Sequence, residues 1–539
     1  MQDEPATDRD RLPELVVAGV AVGVVAGFGA WLFRTMIALV HNLAFQGTLS
    51  TTYDANVHTP AAPWGLGLIL VPVAGAVIVV AIVENFAPEA RGHGVPEVLD
   101  AIYYRQGRIR PQVAVFKSLA SAVSIGTGGS VGREGPIAQI GSAFGSTLGQ
   151  WRRFSPDQVR LLVAAGAAAG IGATFDAPIG GVLFAVELMM LTVTPVTLVV
   201  VTGAVVTAVA ISQRLLGLAF AFPVLSLQQS QPLAMGWPEL AVLVPVGLLM
   251  GMASAGFIVS LAGAERFFPA RLRNPYLRHM FGMSMVGVLI YVTYRLRGAY
   301  TFEGVGYATI IDIIDGVLTN PWLLIVLALG KWFATITTLG SGASGGVFSP
   351  ALFMGAALGG AAGHIAVSLG VPVDPAVVAL AGMAGMVAGS TGAVLTAITM
   401  TGEMTGDFGV AVALLVTAGL AAGVRSVLLP VTIYTEKLIG RHHWVPQGLQ
   451  GLGLDRVRAR DLAVPLAETA DVEAAPDAPP SERLSPEASV FDVVAALDRV
   501  PEVHIVDGEE VIGRVTHADL DDGLIRHGLV ERPRRPRRR

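Results

Sequence analysis

The sequence predicts an all-α polytopic membrane protein that ends in a small α/β tail. Three observations predict it. Hydrophobic residues make up 53% of the 539 and charged residues only 14%, too apolar a balance for an ordinary soluble domain. Long apolar runs recur along the chain, several of them shorter than the roughly 20 residues of a full crossing and interrupted by Gly and Pro. After Arg441 the composition changes: 455–539 is charged, and Pro-rich between 475 and 485. This composition excludes a soluble enzyme. The absence of Cys excludes disulfides and thiolate metal sites. The net charge of −5 says little about partners, and nothing points to nucleic acid. No cleavable signal peptide is evident, because the apolar run after Arg11 is long enough to span.

The elements follow in order. Residues 1–12 are polar. Leu15 to Val40 reads as a first membrane helix and Pro63 to Val83 as a second, with a polar loop over 42–61. Arg91-Gly-His-Gly-Val-Pro-Glu97 gives a glycine turn, a proline for a first helical turn and a short segment to Tyr104. Arg105, Arg108 and Arg110 mark a cytoplasmic loop. An apolar segment over 112–127 contains Lys117. Gly128-Gly-Ser-Val-Gly-Arg-Glu-Gly-Pro136 opens the next segment, which ends at Trp151-Arg-Arg153. Small residues dominate 157–175, Pro178 to Leu191 carries Glu187, and Pro195 to Leu216 is another span. A loop over 222–237 precedes spans at Pro238 to Leu261, 280–294 and 322–338, with Arg271, Arg273 and Arg278 marking a second cytoplasmic loop. Gly340-Ser-Gly-Ala-Ser-Gly-Gly-Val-Phe-Ser-Pro350 leads into an apolar segment to Leu369. Residues 375–404 mirror 159–188 and contain Glu403, and the last membrane segments are 409–429 and 430–440.

The stretch around Glu134 organises the rest. Its glycines let the backbone bend and expose N–H groups, and Pro136 fits the first helical turn. Free N–H groups and the positive end of a helix dipole make an anion site. The sequence places the carboxylate of Glu134 in that site, and an acid within a membrane is a functional candidate. The frame recurs: Gly132, Pro136 and Gly141 match Gly346, Pro350 and Gly355 at an offset of 214. Ala165-Gly166 matches Ala381-Gly382, and Glu187 matches Glu403, at 216. Two related halves with broken helices in corresponding positions point to a transporter's central site.

Gly92-His-Gly-Val-Pro96, Gly132-Arg-Glu-Gly-Pro136 and Gly345-Gly-Val-Phe-Ser-Pro350, in this order, resemble the three signature motifs of the CLC family of chloride channels and chloride/proton exchangers. Tyr434 stands where that family has its anion-coordinating tyrosine. The resemblance covers about 14–440 and implies an inverted-repeat membrane domain, with halves at about 14–216 and 238–440. It also implies a homodimer with one chloride pathway per subunit, lying in the inner (plasma) membrane with both termini cytoplasmic. Chloride would be the transported ligand, with protons as a second one, and no cofactor or metal is called for. By that match Glu134 is the gating glutamate. His93, Gly94, Gly135, Val347, Phe348 and Tyr434 would hold the anion, while Lys117 and Arg133 would tune its potential. Amides and hydroxyls bind a weakly hydrated anion without a full positive charge, so it can leave again.

The chain departs from the family pattern twice. His93 replaces the usual serine of the first motif, and its imidazole either reaches the anion or turns away. Leu188 stands where exchangers of the best-known bacterial type carry a second glutamate as inner proton acceptor. Exchange remains the leading reading and a passive gated channel the alternative, favoured by Leu188. An exchanger would need another inner route, through water or His93.

Other motifs have plainer readings. Gly342-Ala-Ser-Gly345 and Gly128-Gly-Ser-Val-Gly132 resemble serine-nucleophile motifs, yet nothing marks a base, His364 included. Glu187 and Glu403 read as structural, and His442-His443 as a solvated cap at the last helix rather than a metal pair. Within the tail of 441–539, about 455–528 resembles a single CBS module, with Thr516 as a helix N-cap. Such modules usually pair to hold an adenine nucleotide, so a structural role is preferred here. The arginines from Arg534 to Arg539 suit anionic lipid headgroups or a solvated end.

Overall fold

The computed structural model describes residues 12–217, 222, 236–441, 443, 445, 446, 457–465, 482–497, 499–507 and 510–526. The first half comprises α1 (Leu12–His41), α2 (Leu70–Phe86), α3 (Val95–Tyr104), α4 (Gln112–Gly126), α5 (Glu134–Trp151), α6 (Pro156–Phe175), α7 (Pro178–Leu188) and α8 (Pro195–Leu216). The second comprises α9 (Trp237–Arg271), α10 (Pro275–Arg297), α11 (Tyr307–Ile314), α12 (Pro321–Ser341), α13 (Phe348–Ser368), α14 (Pro375–Thr391), α15 (Val394–Thr405), α16 (Ala411–Leu428) and α17 (Glu436–Ile439). Among the described residues eight helical stretches are long and apolar enough to cross a membrane. This is an integral membrane protein of mostly helical fold.

The helix starts follow from local chemistry. Ser155, Thr194, Asn274, Asn320 and Asp374 each cap a helix through the side chain, and each precedes a proline at the first helical position. Gly217, Gly298, Gly392 and Gly406 end helices in the left-handed region. Where α5 crosses α6, a Cβ on Gly141 would stand 2.1 Å from the Gly166 carbonyl oxygen, so only glycine permits that approach.

Reciprocal hydrogen bonds join the halves. Glu187 accepts from the Leu395 and Thr396 amides at 2.8 and 2.7 Å, at the N-terminus of α15. Glu403 accepts from Ile179 and Gly180 at 2.8 and 2.7 Å, at the N-terminus of α7. Each half thus caps a helix of the other. Ser121–Ser344 (2.8 Å) and Ser130–Thr335 (3.4 Å) exchange in the same way.

Four expectations need correction. Residues 430–440 form no membrane helix; they make an irregular turn followed by the single turn α17. Proline at 430 ends what α16 began. Arg278 marks no loop: it lies buried in α10 and donates to the Ser341 carbonyl at 3.0 Å. His443 is no solvated cap, since it stacks on Tyr104 and bonds Asp100 at 2.5 Å; His442 lies outside the described residues. The α9 and α10 helices also run beyond their predicted ends, and α11 was unforeseen. The 222–237 loop, apart from Phe222 and 236–237, and the arginine tail lie outside the described residues, as do 1–11.

The tail comprises α18 (Ala459–Leu462), β1 (Val464–Pro465), β2 (Arg483–Leu484), α19 (Val490–Leu497), β3 (Glu502–Asp507), β4 (Glu510–Thr516) and α20 (His517–Arg526). Its sheet order is β1-β4-β3-β2, with β2 parallel to β3 and the other pairs antiparallel. Thr516 and Asp519 form a capping pair at α20. Helix α19 packs on α3 of the membrane part. Beside that contact, Arg441 grips Glu97 with two hydrogen bonds (2.7 and 3.1 Å), which raise its already high pKa and keep it charged.

Candidate functional site

The two glycine motifs meet at the centre of the molecule. The Gly132 amide donates to the Gly346 carbonyl (2.8 Å) and the Gly346 amide to the Gly132 carbonyl (2.6 Å), which sets the N-termini of α5 and α13 side by side. Glu134 is the first residue of α5. Its carboxylate crosses to the other half. It accepts from the Phe348 amide at 2.5 Å, from the Ser349 amide at 3.4 Å and from the Ser349 hydroxyl at 3.1 Å. The carboxylate of an acid in the first half thus lies at the N-terminus of α13.

Close packing shapes this position. A Cβ on Gly132 or Gly346 would stand 2.0 or 2.1 Å from a Glu134 carboxylate oxygen. A Cβ on Gly135 would stand 1.8 Å from the His93 carbonyl oxygen, and one on Gly94 2.7 Å from the Gly135 oxygen. The glycines let three backbone segments close around one carboxylate, that of Glu134, a residue 1% exposed that makes no ion pair among the described residues.

The other predicted residues fall into three groups. His93 and Tyr434 come together, both buried, with ring centroids 6.1 Å apart. The imidazole is buried, and among the described residues its Nδ1 makes no hydrogen bond. Val347 is the N-cap of α13, and of the pair with Phe348 it is Phe348 whose amide reaches Glu134. Lys117 pairs with no carboxylate; it donates to the Ala90 and Gly92 carbonyls (2.8 and 2.7 Å) and pins the first glycine turn. Arg133 donates to the Thr174 carbonyl at 3.3 Å and lies 5.3 Å over the Tyr307 ring. It lines a cleft of about 430 Å³ with Arg34, Tyr53 and Asp54. Leu188 ends α7 and offers no proton.

Sequence reasoning missed three contributors. Ser349 donates to Glu134 and shares a 3.0 Å hydrogen bond with the Tyr307 hydroxyl. Lys331 donates to the Gly304 carbonyl at 2.7 Å. The repeat itself held the signal, since Tyr307 and Lys331 stand 214 residues after His93 and Lys117. Ser344 bonds Ser121 and the Ala90 carbonyl rather than an imidazole. Ser341 does touch His279 (2.9 Å), but both are buried and the hydroxyl also meets the Thr338 carbonyl.

Comparison with known proteins gives the following. The family model described as "Voltage gated chloride channel" matches residues 75–426. A ClcB-like protein of Ralstonia nicotianae is 35% identical over 64% of this chain and 79% of its own. The H(+)/Cl(−) exchange transporter ClcA of Vibrio vulnificus strain YJ016 is 31% identical over 77% of this chain and 89% of its own. A crystal structure of a slow cyanobacterial Cl−/H+ antiporter superposes with a TM-score of 0.68, at 25% identity, over 79% of this chain and 97% of that one.

Proposed function

This chain belongs to the CLC family, and from that premise we propose that it exchanges chloride for protons across a membrane, with Glu134 as the shared gate. One observation carries the reading: a buried, protonatable carboxylate occupies the amide and hydroxyl cradle of Phe348 and Ser349. Ionised, Glu134 competes with chloride for that cradle; protonated, it loses the charge that holds it there, and chloride enters. Protonation and anion occupancy thereby become one event. The His93–Tyr434 pair would line the next position along the path, with Gly94, Gly135, Val347 and Phe348 supplying its backbone. Arg133 would draw anions in through the cleft, and Lys117 would act by holding the Gly92 turn. The similarity to ClcA, an H(+)/Cl(−) exchange transporter, supports exchange. Leu188 supports the second reading, a passive gated channel.

The wider arrangement extends the same reading. A homodimer is supported by exposed apolar side chains on the adjoining α8, α7, α15 and α16, among them Val206, Ile179, Leu395 and Leu415. The helix–strand–strand–helix order of the tail supports a CBS-like module acting as a structural support, with no adenine nucleotide and with both termini on the cytoplasmic side. By this reading the chain divides into 1–13, 14–440 and 441–539.

The test is proton movement in liposomes under a chloride gradient, with the potential held by potassium and valinomycin. Exchange predicts uphill proton flux that Glu134→Gln abolishes while chloride flux continues. Chloride flux without uphill proton movement in the wild type establishes the channel instead.

A further inference from the structure

Exchange needs a proton donor on the tail side, and Leu188 is not one. On that side a cavity of about 10 Å³ joins His93 to Glu265 of α9, with Glu436 and Lys437 on its wall. That volume is about what one water needs. His93 is 1% exposed, and its Nδ1 has no hydrogen-bond partner. Its carbonyl packs against Gly135, the residue after Glu134.

The neighbouring charged groups are committed elsewhere. Glu97 is held by Arg441 and lies 3.3 Å from Lys437. Glu436 pairs with Arg266. Lys117 donates to backbone carbonyls. Among the described residues Glu265 has no ion pair or hydrogen-bond partner, although it is half-buried and lines the cavity.

We propose that Glu265 and His93 form the inner leg of the proton path, and this rests on the exchange reading above. Glu265 takes a proton from the tail-side solution. Its O–H bond then breaks as one ring nitrogen of His93 gains an N–H, through the intervening water. The other ring nitrogen gives up its proton toward the Glu134 carboxylate, past the Tyr434 hydroxyl. The imidazole ends neutral, as it began, and no electrons are transferred. Ending as it began suits a relay that passes a proton on rather than storing it.

The full chain, reconstituted in liposomes, tests this through the ratio of proton to chloride flux. Glu265→Gln is expected to lower uphill proton flux at least about tenfold while chloride flux continues, and Glu265→Asp to restore most of it. His93→Ser is expected to lower the ratio likewise. The chain has no Cys, so Glu265→Cys can be modified selectively. A carboxylate-bearing thiol reagent applied from the tail side should restore proton flux, and a neutral one should not. Wild-type ratios in Glu265→Gln and His93→Ser would overturn the relay and leave exchange standing. The same holds if the charged and neutral reagents act alike, which decides the matter should Glu265→Gln also lose chloride flux. Absence of uphill proton flux in the wild type overturns both readings together.

Discussion

The two halves of the membrane part match in the residues that hold the frame and differ in the residues that bear chemistry. Lys117 and Lys331 each tie down a preceding turn, Ser121 meets Ser344 and Ser130 meets Thr335, and Glu187 and Glu403 cap each other's helices. At the same offset, Glu134 corresponds to Phe348, Arg133 to Val347 and His93 to Tyr307. Symmetry secures a broken-helix scaffold in which α7 and α15 cap one another, and its local loss makes a site. A carboxylate of one half can enter the amide cradle of the other because the second half has no acid of its own there.

The largest expected effect sharpens the matched side of this comparison. Glu187→Ala and Glu403→Ala each leave one buried and one half-buried amide without an acceptor, at a cost of about 3 kcal/mol. Thermal unfolding in detergent should place the two variants at nearly the same midpoint. A clear gap between them would mean the caps are not equivalent. Lys117→Met and Lys331→Met should follow, each destabilising by about 2 kcal/mol through carbonyls left unpaired.

The next variants probe the point where the symmetry breaks. Gly132→Ala and Gly346→Ala occupy matched positions, yet both press on the single carboxylate of Glu134. Each should cut proton-coupled flux about tenfold, equivalent to roughly 1.4 kcal/mol, with the fold retained. If one variant behaves as wild type, Glu134 is not clamped from both sides. The smallest effect is expected from Ser349→Ala. It removes one hydroxyl from the carboxylate's hold and should change chloride turnover about threefold.

Much of this was legible in the residues. The helix starts were written as a capping residue followed by proline, and the two halves as constant offsets between glycine motifs. Glu134 stood out as an acid in an apolar chain. Its destination did not, because a motif names the residues of one turn and not the helix end that another half brings beside it. Ser349 was quoted within its motif but carries no mark distinguishing a lining hydroxyl from a helix-start serine. Residues 430–440 misled because an apolar run of that length fits a short helix as well as a turn stabilised by the Thr432–Thr435 hydrogen bonds. Lys117 misled in a similar way: a lone lysine in an apolar segment suggests an ion, whereas three carbonyl-seeking N–H donors suit a backbone turn equally well.

The crossed caps have a consequence for how the protein is made. Ile179 and the carboxylate that serves it, Glu403, are 224 residues apart, and Leu395 lies 208 beyond Glu187. When the first half leaves the ribosome, α7 enters the bilayer with its leading amides uncapped, and the acid of Glu187 has nothing yet to receive. Nascent chains are therefore committed to an unfinished intermediate until α15 emerges, and its arrival closes both ends at once.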